Sequence, residues 1–194
     1  MKRGLIVILS GPSGVGKGTL RKRIMEESSL CLAYSISMTT RPMRIHEEEG
    51  KDYFFVSPER FQQAIDQNEL IEWAEFVGNR YGTPQNYVEK LRNEGKNVFL
   101  EIEIDGASQV INKYASSDLI TIFLMPPSFD DLESRIRKRQ TETEEVILQR
   151  LNKAQREMSL YKHYQYVVVN DKIDRAVDEI IHIISQRMTP NHPS

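Results

Sequence analysis

"GPSGVGKGT" (residues 11–19) follows the pattern Gly, four residues, Gly, Lys. Gly11, Pro12, Ser13, Gly14, Val15, Gly16, Lys17, Gly18 and Thr19 therefore read as a phosphate-binding loop. In such a loop, glycines let backbone N–H groups converge on phosphate oxygens, and the N-terminus of the following helix adds positive potential. The lysine reaches the outer phosphates, and a Ser or Thr directly after it holds Mg2+. Here that position is Gly18, and the hydroxyl comes one residue late, at Thr19. The competing reading is a chance match in a glycine-rich turn, and context separates the two. "GLIVILS" (residues 4–10) is a short apolar run rich in β-branched residues, which reads as a strand buried on both faces, as in a parallel sheet. Residues 20–27 read as a helix. Strand, loop, helix is the context that phosphate binding requires.

Further buried strands are expected at 97–104, 119–124 and 166–169. Helices are expected over 84–93 with Thr83 as cap, 129–138 capped by Ser128, 144–160 capped by Thr143, and 173–188. Strands alternating with helices predict an α/β fold with a parallel sheet core flanked by helices, formed by residues 1–36 and 88–194. Residues 37–83 break the alternation, with short strands at 53–56 and 71–76, a helix near 58–68, and many turn residues and charges. They read as a small mixed α/β lobe, about 37–87, inserted into a single domain.

The 194 residues suit one such domain. Apolar residues at 39% and charged residues at 28% allow a core with a soluble surface. A net charge of −2, from 26 basic and 28 acidic residues, argues against a general nucleic-acid binder. Cys31 is the only cysteine, which excludes a disulfide framework and a cysteine metal cluster; its apolar surroundings read as a small buried side chain. The run after Lys2 and Arg3 leads straight into the glycine loop, unlike a signal peptide. No apolar stretch approaches the ~20 residues that a membrane helix needs. A cytoplasmic protein without a membrane partner is the expectation. His46, His163, His182 and His192 are scattered, without metal-ligand spacing.

Three other stretches carry candidate chemistry. In "SISMTTRPMR" (35–44), Arg41 and Arg44 flank Pro42, and guanidinium forks suit bidentate contact with phosphate. A solvated basic loop is the alternative, which a phosphate-binding loop on the same domain disfavours. In "LIEWAEFVGNRYGTP" (70–84), Glu72 sits in an apolar, strand-like run. It is either an outward surface residue or a pocket acceptor, and alternation does not decide. In "NVFLEIEIDG" (97–106), Glu101 and Glu103 are two apart, so on a strand both carboxylates face one side.

Together with "GKDYFF", "IEWAEF", "YGTP", "TETEE" and "VVVND", in this order, these stretches resemble the guanylate kinase family from about Leu5 to the final helix. The resemblance implies a phosphate-loop kinase core, an inserted GMP-binding lobe, a mobile arginine lid over about 135–150, and transfer of a phosphoryl group from ATP to GMP with Mg2+. It assigns Glu72 to guanine, whose pairing edge offers two donors, N1–H and the 2-amino group, to one carboxylate. Adenine would face it with an acceptor, and such mismatched sites reject analogues strongly. Ser37 and Thr83 match hydroxyls that donate to guanine O6, Thr83 standing in place of Ser. Arg41, Arg44, Tyr53 and Tyr81 match the clamp on the GMP phosphate. Arg135, Arg139 and Arg150 match the lid arginines, whose alternative is one basic helical face. Gln140 departs from the family's usual Gly at the lid hinge. Asn170 matches a position near adenine, although Asn-Asp after a strand is also an ordinary turn. Glu101 and Glu103 match the acidic positions near GMP and the metal.

Under this resemblance the metal is held by nucleotide phosphates and waters, which Mg2+ retains readily. Glu101 or Glu103 would bond those waters, with no direct protein ligand, and Thr19 would bond the α-phosphate. An adenylate kinase shares the Lys-Gly-Thr ending of the loop but not the set Glu72, Ser37 and Thr83. A non-catalytic relative that binds protein partners would have lost the loop or the GMP residues, which this chain keeps.

Overall fold

The computed structural model describes residues 2–76, 78–138 and 143–188. The chain enters through β1 (Ile6–Ser10), turns through the glycine loop and runs into α1 (Lys17–Ile24). A short turn leads to β2 (Leu32–Tyr34), β3 (Ser37–Thr39), β4 (Tyr53–Phe55) and α2 (Pro58–Asp66). There follow β5 (Leu70–Phe76), β6 (Asn79–Pro84), α3 (Gln85–Asn93), β7 (Asn97–Glu101) and α4 (Ile104–Lys113). The last elements are β8 (Leu119–Met125), α5 (Phe129–Arg137), α6 (Glu144–Met158), β9 (Tyr166–Val169) and α7 (Ile173–Met188).

Among the described residues the strands form two sheets. One is parallel, in the order β2-β7-β1-β8-β9. β1 lies in its middle, with Ile6 opposite Val98 on one side and Leu119 on the other. All five of its residues are buried, which is why the run before the loop reads as continuously apolar. Alternate side chains divide between two faces: Val7 and Leu9 pack with Leu20, Ile24, Val177 and Ile180 from α1 and α7, while Ile6 and Ile8 pack with Val88, Leu91, Ala107 and Val110 from α3 and α4. Each such fully buried aliphatic side chain contributes roughly 1.5–3 kcal/mol. This interior fixes the carboxyl end of β1, where the glycine loop begins.

The second sheet is mixed, in the order β4-β3-β6-β5, with β3 and β4 parallel and the other pairs antiparallel. It has its own core of Met38, Phe61, Ala64 and Leu70. Ser57 caps α2 by accepting from the Arg60 N–H, with Pro58 in the first turn.

Several local expectations change. The strand expected over 97–104 stops at Glu101, because β7 pairs with β1 only to the Leu9–Glu101 register, and α4 begins at Ile104. Thr83 lies in β6 and caps nothing; Pro84 is the N-cap of α3. Ser128 does cap α5, accepting from the Asp131 N–H. Cys31 is exposed and left-handed, with φ of 46°, because it ends the turn before β2. The short strands β2, β3 and β6 are additions.

Candidate active site

The loop is built at the junction of β1 and α1, and the helix starts at Lys17, inside the motif. Gly16 has φ of 103°, and a Cβ there would lie 2.7 Å from Asn170 Nδ2, so both backbone and space require glycine. At Gly18 the backbone is ordinary and a Cβ would be 3.8 Å from Glu101 Oε1, which a side chain tolerates. Lys17 Nζ donates to the carbonyls of Gly11 at 2.6 Å and Pro12 at 3.4 Å. Three polar side chains brace the loop from outside. Asn170, buried, donates its amide to Val15 O at 2.7 Å. Arg135 donates to Val15 O at 3.2 Å and to Asn170 O at 2.9 Å. Arg150 donates to Ser13 Oγ at 2.7 Å. These contacts lie along the loop, and Asn170 spends its amide on the backbone.

Two clefts meet in front of this loop. The first, of about 520 Å³, is lined by loop residues including Ser13, Gly14, Gly16, Gly18 and Thr19. The second, of about 350 Å³, is lined by Tyr34, Ser37, Tyr53, Glu72 and Tyr81. Lys17, Arg21, Glu101 and Glu103 line both, so the clefts abut at these four residues.

Glu72 projects from β5 and is 5% exposed. Thr83 Oγ1, opposite it on β6, donates to its carboxylate at 2.5 Å. Burial pushes the Glu72 carboxyl up to about 7, against the pull of the Thr83 hydroxyl and backbone. The Tyr53 and Tyr81 rings meet edge-on, 5.9 Å between centroids, and burial raises the Tyr53 phenol. Arg41 is paired with Glu47 at 2.6 Å and lies over the Tyr53 ring at 5.4 Å. Arg44 is exposed and donates its backbone N–H to the same glutamate. Neither arginine lines either cleft; both are tied at the edge through Glu47. Arg139 and Gln140 lie outside the described residues.

Glu101 and Glu103 both face the clefts, though not by strand alternation: Glu101 closes β7, and Glu103 is the N-cap of α4. Burial raises the Glu101 carboxyl, opposed by Arg21 and Lys17. Arg21 Nε stands 3.2 Å from Glu101, and Lys153 Nζ stands 3.4 Å from Glu103. Among the described residues no group of three or more His, Cys, Asp or Glu is arranged to hold a metal. The donor set in the cleft, two carboxylates beside a phosphate loop, fits a Mg2+ that keeps its waters and is held mainly through nucleotide phosphates.

Arg21 and Tyr34 are cleft residues that sequence reasoning missed. The Arg21 guanidinium stacks 4.3 Å over the Tyr34 ring. The signal for Arg21 was its spacing, four residues after Lys17 and so on the same helix face. No comparable signal marked Tyr34.

A glycine loop leaving the central strand of a parallel sheet and opening a helix defines a phosphate-loop nucleotide-binding α/β protein. The second cleft narrows the class further. A guanylate kinase family model matches residues 3–187, and the chain belongs to the guanylate kinase family. A guanylate kinase of Mycoplasma capricolum is 53% identical over 184 residues, covering 95% of this chain and 61% of that protein. One from Malacoplasma penetrans is 48% identical, covering 96% of this chain and 95% of that protein. The crystal structure of guanylate kinase from Anaplasma phagocytophilum superposes with a TM-score of 0.75 at 33% identity, covering 97% of this chain and 89% of that one. The chain thus spans about three fifths of the length of the Mycoplasma and Mesoplasma relatives it matches. No described helix is long and apolar enough to cross a membrane.

Proposed function

We propose that the protein transfers the γ-phosphoryl group of ATP to GMP, giving ADP and GDP, in the cytoplasm. The observation that carries the reading is Glu72: a buried carboxylate lining a cleft that abuts the phosphate loop at Lys17. Guanine's N1–H and 2-amino group fit that carboxylate, which accepts from the Thr83 hydroxyl, and Ser37 lines the same cleft. Family membership supports the same substrates.

The nucleophile is a GMP phosphate oxygen. With a second pKa of about 6 it is already anionic near neutral pH, so positioning and charge stabilisation do most of the work. ATP sits with its phosphates in the loop of residues 11–19, Thr19 on the α-phosphate and the base toward Asn170. Lys17 neutralises the outer phosphates, with Arg135, Arg139 and Arg150 closing over them as residues 135–150 act as a lid. Arg41, Arg44, Tyr53 and Tyr81 hold the acceptor phosphate; this requires Arg41 to exchange Glu47 for the phosphate, an exchange of one anionic partner for another. Bound Mg2+ would supply further charge neutralisation, and Glu101 or Glu103 would hold its waters. Closure of the lobe (37–87) and lid excludes water that would otherwise accept the phosphoryl group.

A coupled assay with GMP, AMP, CMP and UMP as acceptors tests this reading. Strong preference for GMP is expected; equal or better use of AMP would replace it with an adenylate kinase. No turnover with any acceptor, from a folded protein, would leave a binding module.

A further inference from the structure

A glycine that touches none of the phosphates sits against the carboxylate of the second cleft. Gly106 is buried in the first turn of α4. Its φ lies outside the left-handed region, so the backbone does not call for glycine, and glycine is a poor helix former. Space calls for it. A Cβ at 106 would lie 2.3 Å from Glu72 Oε2, 3.1 Å from its Cδ and 3.5 Å from its Cγ.

Glu72 has little freedom to give way. Its other oxygen accepts from Thr83 at 2.5 Å, and the residue is almost fully enclosed. Nor does β5 recede as a unit, because α4 itself pins it: Gln109 accepts from the Trp73 N–H at 3.1 Å and donates to the Trp73 carbonyl at 2.8 Å, and Lys113 reaches Leu70 O at 3.3 Å. The same helix that holds the strand in place therefore leaves a gap where one side chain would be, and the carboxylate fills it.

We propose that Gly106 is a positioning residue for guanine selectivity: its bare Cα is the seat that lets the Glu72 carboxylate present itself to the base. A methyl group there forces the carboxylate to rotate off Thr83 and away from the pairing edge. The inference rests on the GMP reading of the cleft, and it assigns the selectivity partly to the core helix rather than to the lobe alone.

The test is Gly106→Ala, with steady-state kinetics for GMP, for inosine monophosphate, which lacks the 2-amino group, and for ATP. The KM for GMP is expected to rise tenfold or more, the GMP-over-inosine preference to shrink several-fold, and the KM for ATP to stay within twofold. Repeating the substitution in a Glu72→Ala background, where no carboxylate occupies the space, should change the KM for GMP less than twofold. An unchanged KM and preference in the single variant, or an equal loss in both backgrounds, overturns the proposal. Should Gly106→Ala fail to fold, a folded double variant supports the seat, and an unfolded double variant overturns it. If the GMP reading itself is wrong, the unsubstituted protein already shows no preference for GMP, a result separate from any of these.

Discussion

The Thr83 hydroxyl donates to Glu72 across 2.5 Å between neighbouring strands of the small sheet. This bond is too little to offset the burial of the carboxyl, which is pushed up to about 7. The folded protein therefore holds a proton at Glu72 more tightly than the unfolded chain, where a glutamate titrates near 4.3. The stability contributed by protonated Glu72 is fully present below the unfolded value and is lost as pH rises to about 7. The loss is at most about 4 kcal/mol, from ~1.36 kcal/mol per unit. Urea midpoints at pH 5 and pH 7.5 should fall with pH more steeply in the natural protein than in Glu72→Gln. Parallel curves would contradict the burial argument.

Guanine binding should reverse that shift. Two donors facing the carboxylate favour its ionised form, so binding near pH 6.5 is expected to release a proton. Calorimetry of guanosine, which has no phosphate to titrate, in buffers of different ionisation enthalpy reads this directly. The release should vanish in Glu72→Gln.

Lys17→Met is expected to lower turnover by on the order of 10³-fold or more, because the charge facing the transferring group is lost in a site that works mainly by electrostatics. The fold should survive, since the lysine's partners in the free protein are loop carbonyls near solvent. A rate within tenfold of the natural protein would remove Lys17 from the reaction.

Arg135→Ala should act on the donor side. Its guanidinium bridges Val15 O and Asn170 O, so the substitution is expected to lower kcat and raise the KM for ATP, with the KM for GMP changed less than threefold. Arg139→Ala should lower kcat more than it raises the KM for GMP. An effect of either change confined to GMP would place that arginine with the acceptor instead.

Much of this was legible in the sequence because it is local. The loop, the buried strand before it, the ends of β9 and α7, and the Ser128 cap all follow from short-range pattern. The burial of Glu72, a residue the family resemblance names, was not, because it packs against Gly106, more than thirty residues further along the chain, in a helix hidden by an acidic run that reads as strand. The apolar positions 104, 107, 110 and 111 at helical spacing were the available signal for α4. Thr83 shows the same limit: a hydroxyl before a helical pattern reads as a cap, and only the strand pairing reveals that it serves a carboxylate. Arg41 and Arg44 are obvious as a basic pair, whereas their engagement with Glu47 depends on the path of the loop between β3 and β4.

Glu72 is the residue proposed to read guanine, and steady-state kinetics of Glu72→Gln test that role most directly. The amide keeps the shape but presents a donor as well as an acceptor. The expected result is a KM for GMP raised by about tenfold to a hundredfold, in line with one lost charged pairing, with the KM for ATP within twofold. Equal losses for GMP and ATP, or none for GMP, would contradict the assignment of this cleft to guanine.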